Sequence, residues 1–105
     1  MIRFSNQFLK DVKKLKKRFP LIKNDINNLI NDLKSNPTLG ISLGDNLYKI
    51  RIPNSSIPTG KSGGFRVITY VIIDEIILLT HIYSKSQKET ISIEEILDIL
   101  KREFK

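Results

Sequence analysis

Tyr48-Lys49-Ile50-Arg51-Ile52, a polar loop, and then Gly63-Gly64-Phe65-Arg66-Val67-Ile68-Thr69-Tyr70 make up the stretch on which the fold turns. In its first part apolar and charged residues alternate with period two, the pattern of a half-buried strand. Such a strand places Tyr48, Ile50 and Ile52 on one face and Lys49 with Arg51 on the other. Side chains two apart on one face stand roughly 6.5–7 Å apart, so two cations there repel unless something anionic lies over them. The second part brings another cation, Arg66, after two glycines whose missing Cβ lets backbone and ligand approach closely. These strands are expected to floor a phosphate-binding groove.

Downstream, Phe65 to Ile73 and Ile76 to Tyr83 are apolar, β-branched runs split by Asp74-Glu75, which predicts a hairpin buried over most of its length. Strict alternation puts His81 on one face with Ile77, Leu79 and Tyr83, either as a structural histidine or as a groove residue. The loop from Pro53 to Gly64 contains Gly60-Lys61-Ser62, the tail of a P-loop. That motif would need a glycine at Ser55 and a helix to follow, and neither is present. Lys61 is a solvated loop lysine or a mobile contact to phosphate.

Upstream, Thr38 to Asn46 has no strong period and reads as a connection. Residues 2 to 4 suit a short edge strand. Ser5 follows as a helix N-cap, with Phe4 and Leu9 spaced as a hydrophobic staple. Phe8, Leu9, Val12, Leu15 and Phe19 define one helix face, and Lys10, Lys13, Lys14 and Lys17 the opposite one. That lysine stripe is either a solvated face or a track for RNA backbone. Pro20 suits the first turn of a second helix carrying Leu21, Ile22, Ile26, Leu29, Ile30 and Leu33, which Asn36-Pro37 ends. Ser92-Ile93-Glu94-Glu95 is a capping box opening a last helix with Ile93, Ile96, Leu97 and Leu100. The expected architecture is α+β in the order β-α-α-β-β-β-α, a single domain over 1–105. Its antiparallel sheet is covered on one face by the N-terminal helical hairpin.

Eighteen Lys and Arg against eleven Asp and Glu leave a net charge of +7, favouring an acidic partner: nucleic acid, an anionic membrane surface or an acidic protein segment. With no cysteine and one histidine, neither a disulfide nor a metal constellation is expected, and no cofactor is implied. Met1-Ile2-Arg3-Phe4 opens no run of signal-peptide length and the longest apolar stretch is too short to span a bilayer, so a cytoplasmic protein is expected.

What remains for chemistry is Lys49, Arg51 and Arg66 on the strands, with Lys85 and Lys88 beyond the last one. Such a cluster suits RNA cleavage, in which a 2′-hydroxyl attacks its own neighbouring phosphate. Arginine is too weak an acid to become the base, so Arg51 and Arg66 are assigned to clamping phosphate oxygens. Lys49 is the candidate base, because neighbouring charge and desolvation can lower a lysine pKa. Lys85, Lys88 or Tyr83 could protonate the leaving group, and the spacing does not choose among them.

The order of elements and the strings Lys61-Ser62-Gly63-Gly64-Phe65-Arg66 and Tyr83-Ser84-Lys85-Ser86-Gln87-Lys88-Glu89 together resemble the RelE/ParE superfamily of bacterial toxins, above all its RelE- and HigB-like branch. The resemblance implies the toxin of a type II toxin–antitoxin pair, a metal-independent endonuclease that cuts mRNA in the ribosomal A site. The family's strand lysine and arginine positions map onto Lys49, Arg51 and Arg66. Its arginine after the last strand and its later tyrosine fall near Ser86 and Ser92, so another group must supply the acid. The implied partners are mRNA, the ribosome and a cognate antitoxin with a helix-turn-helix and an acidic segment. The free toxin would be a monomer that joins a hetero-oligomer with the antitoxin. The ParE branch shares the fold but inhibits DNA gyrase. A non-catalytic nucleic-acid-binding member is the further alternative.

Overall fold

The computed structural model describes residues 1–58, 64–72, 76–85 and 91–103. The elements run β1 (Ile2–Phe4), α1 (Asn6–Lys16), α2 (Ile22–Ser35), β2 (Ile41–Gly44), β3 (Leu47–Ile52), β4 (Phe65–Ile72), β5 (Ile76–Ser84) and α3 (Ile93–Glu103). They build one five-stranded sheet of order β1-β5-β4-β3-β2. The α+β expectation holds, with two differences: the sheet is mixed, because β1 pairs parallel to β5, and it gains the strand β2. The sign of β2 was a turn rather than a period. Asp45 and Asn46 take positive φ values of 52° and 65°, the left-handed pair that a two-residue hairpin loop requires and that Asp and Asn tolerate best.

On one face of the sheet, α1 and α2 bury Phe8, Leu15, Ile22, Ile26, Leu29 and Leu33 against Ile50, Ile52, Phe65, Val67, Leu79 and Ile82. Phe19, in the link between the helices, meets Phe65 edge-on at 5.5 Å. The expected staple does not form. Leu9 is 53% exposed, and Phe4 instead stacks on Phe8 with centroids 5.4 Å apart. Pro20 lies in the turn before α2 rather than in its first turn. On the other face, α3 is held by Ile96 and Ile99, each buried side chain stabilising by about 1.5–3 kcal/mol. Ile93 and Leu97, expected on its buried side, are exposed. Ser92 caps it as expected, its hydroxyl accepting from the Glu95 N–H at 3.1 Å.

Within β5 the alternation is broken once. Ile68 pairs with His81 and Thr69 with Leu79, which leaves Thr80 as an extra, unpaired residue. This bulge is tied on both sides. The Thr80 hydroxyl donates to the Ile68 carbonyl at 3.2 Å, and the Ser5 hydroxyl donates to the Thr80 carbonyl at 2.8 Å. The same Ser5 oxygen accepts from the Phe8 N–H at 2.9 Å, so one buried side chain caps α1 and fixes the bulge. Beyond the end of β1, the Asp11 carboxylate accepts the Ile82 N–H at 3.2 Å, covering a stretch of open strand edge.

Ser5→Ala removes a cap and strands a buried carbonyl together. Urea unfolding should show a loss of about 1–3 kcal/mol; a loss near zero would mean that the bulge holds itself.

Candidate nucleic-acid interface

Because Thr80 adds one residue, the side chains after it change sides. His81 and Tyr83 do not share a face with Ile77 and Leu79, as simple alternation required. They lie opposite, with Ile68 and beneath α3. The pairing then sets Arg51 beside Arg66 and Arg66 beside Tyr83, a row across β3, β4 and β5 on one sheet face. Lys49 lies on that face two residues along from Arg51, next to Ile68. Neighbouring strands are about 4.7–4.9 Å apart, so one phosphate group spans adjacent members of the row.

The row is not uniformly open. Arg51 is exposed and Lys49 partly so, whereas Arg66 is 3% exposed. One Arg66 guanidinium nitrogen donates to the Phe65 carbonyl at 3.3 Å, which fixes the side chain close to the sheet. The phosphate-binding groove expected over these strands is therefore not open at all three cations. Arg66 forms the floor, and only Lys49 and Arg51 reach the surface. Gly64 also plays a different part from the expected one. A Cβ there would collide with the Ile52 carbonyl oxygen, so glycine lets β4 start flush against the end of β3.

Tyr83 is 7% exposed, and its hydroxyl proton has no acceptor among the described residues. It packs with Leu47, Ile68, Ile91 and Ile96. Burial pushes its pKa above the usual tyrosine value; the Arg66 charge and the nearby Ile91 backbone oppose that shift, and Glu95 adds to it. Lys85 is exposed at the end of β5, where its N–H donates to the Gly64 carbonyl at 3.2 Å. Lys61 and Lys88 lie outside the described residues, as does the Asp74-Glu75 turn.

Beside Tyr83 a cavity of about 280 Å³ opens between α1, β5 and α3, lined by Asp11, His81, Glu95 and Asp98 among others. Its lining is of mixed charge, the three carboxylates being joined by Arg102, whereas Lys49, Arg51 and Arg66 form the row across the strands. His81 is buried, with Nδ1 3.3 Å from the Thr80 hydroxyl. On α1 and its C-cap, Lys10, Lys13, Lys14 and Lys17 are all exposed and line a shallow groove of about 320 Å³ with Gln7 and Asp11. Nearby, a side-chain hydrogen bond with Lys23, and then the repulsion of its like charge, lower the Lys16 pKa.

The loop after β3 is tied to α2, a feature that sequence reasoning missed. The buried Asp25 carboxylate accepts from the Ser55 N–H at 3.0 Å and from its hydroxyl, while Ser56 Oγ accepts the Leu21 N–H at 3.0 Å. The only sign of it was an aspartate among the apolar positions of α2. No group of histidine, cysteine and carboxylate residues among the described residues could hold a metal ion, and no described helix is long and apolar enough to cross a membrane.

The five-stranded mixed sheet with its N-terminal helical hairpin has the fold of solved RelE structures. Residues 2–103 match the family model described as the ParE toxin of a type II toxin–antitoxin system, and the chain belongs to that family. A double arginine-to-alanine mutant of E. coli toxin RelE in the free state superposes with a TM-score of 0.62 at 16% identity, over 97% of this chain and 95% of that one. The intact E. coli RelBE toxin–antitoxin complex contains a chain matching with a TM-score of 0.57 at 17% identity, over 78% of this chain and 92% of that one. No curated protein sequence matches.

The buried phenol has a pH signature. With its folded pKa raised, stability is fully present below the unfolded value of about 10 and falls as pH rises through the higher folded value. Following phenolate absorbance, Tyr83→Phe should remove a step above the usual range; loss of a step at the ordinary value would contradict the burial.

Proposed function

We propose that this toxin is a metal-independent, ribosome-dependent mRNA endonuclease that arrests translation. The single observation that supports the reading is the Arg51–Arg66–Tyr83 row with Lys49 on the same face. Lys49 takes the proton from the 2′-hydroxyl. Arg51, from the surface, and Arg66, from the floor, hold the oxygens of the phosphorane as negative charge accumulates. Fixed donors aimed at that charge do not reorganise during reaction, which suits a guanidinium already tied to the Phe65 carbonyl. The α1 lysine stripe tracks ribosomal RNA phosphates, a contact that is strong, blind to sequence and sensitive to salt.

The cognate antitoxin, a helix-turn-helix protein with an acidic disordered segment, covers this basic surface and so neutralises the toxin in the cytoplasm. A second reading, inhibition of DNA gyrase without any cutting, is supported by the ParE description of the matching family model.

Arg51 is the residue to change, since its exposure lets it be removed without disturbing the core. Purified ribosomes programmed with mRNA should be cut by the wild-type protein, and Arg51→Ala should cut about 10²–10³-fold more slowly. Intact mRNA, together with loss of supercoiling in a parallel gyrase assay, would favour the second reading.

A further inference from the structure

We propose that Tyr83 is the group that protonates the departing 5′-oxygen during cleavage, an inference that rests on the nuclease reading above. A hydroxyl buried without an acceptor is costly in a folded protein, and such orphans concentrate where function demands them. The Tyr83 hydroxyl is one, and Arg66 is its cross-strand neighbour. A proton not committed to any acceptor is free to be given to substrate.

The other candidates are placed less well. The Lys85 side chain is exposed at the strand end, beyond the row. His81 lies opposite Ile68, one row away from Arg66, with Nδ1 against the Thr80 hydroxyl. Lys88 lies outside the described residues.

The step balances without any co-reactant. Lys49 removes the 2′-hydroxyl proton and the O2′–P bond forms. Arg51 and Arg66 hold the phosphorane. The P–O5′ bond then breaks as the Tyr83 hydroxyl gives its proton to O5′. The products are a 2′,3′-cyclic phosphate and a 5′-hydroxyl end. The phenolate left behind faces the Arg66 charge and is reprotonated by the proton that Lys49 returns through water. Ile91 and Ile96 pack against Tyr83, so engaging RNA has to lift the start of α3 from the sheet.

The test uses ribosomes carrying synthetic mRNA, either ordinary or with sulfur in place of the bridging 5′-oxygen at the scissile bond. A thiolate departs without needing a proton. Tyr83→Phe should therefore slow ordinary RNA by about 10²–10⁴-fold and cut the sulfur substrate within about tenfold of wild type. Because the hydroxyl proton has no acceptor among the described residues, thermal unfolding of Tyr83→Phe should stay close to that of wild type. Equal slowing on both substrates, or no slowing on either, overturns the assignment while leaving the nuclease reading intact. A wild-type protein that cuts neither substrate overturns both.

Discussion

A single extra residue in the last strand decides which side of the sheet carries the chemistry. Thr80 has no partner on β4, and its insertion turns His81 and Tyr83 away from the core of the helical hairpin. Two hydroxyls hold it, one its own and one from Ser5 at the start of α1. The entry to the first helix is thereby coupled to the register of the strand pair at the centre of the sheet. A one-residue slip in a strand reverses every side chain that follows, so the tie acts on the whole far half of β5.

The electrostatics follow from that register. Three cations share one sheet face, and one of them is buried. Arg66 donates to the Phe65 carbonyl beside it, while Arg51 and Lys49 reach the surface. The cavity flanking Tyr83 is of mixed charge, lined by Asp11, Glu95 and Asp98 together with His81 and Arg102. The lysines of α1 add a second basic surface away from the row.

Much of this was legible in the residues. The alternation in Tyr48 to Ile52 is the observed strand with Lys49 and Arg51 sharing a face, and the apolar periods of α1 and α2 are the observed hairpin. What was hidden depended on contacts far apart in the chain. The bulge rests on Ser5, 75 positions from Thr80, so no local pattern could reveal that Tyr83 had changed faces. The strand β2 is four residues long, with its first two side chains exposed, too short to show a period; its marker was the left-handed pair Asp45-Asn46. Arg66 looked like a surface cation because nothing in its neighbourhood forecast that α3 would cover that face. Leu9 and Leu97 looked like core because helical spacing does not say how wide the buried stripe is.

The central claim is that Tyr83 shares its sheet face with Arg66 and Ile68 rather than with Leu79. Nuclear Overhauser contacts from the Tyr83 ring measure this directly in solution. The account predicts contacts to the methyl groups of Ile68, Ile91 and Ile96, and none to Leu79 or Phe8. Contacts to Leu79 and Phe8 in place of Ile68 would mean an unbulged strand, with the tyrosine on the far side of the sheet from the arginines.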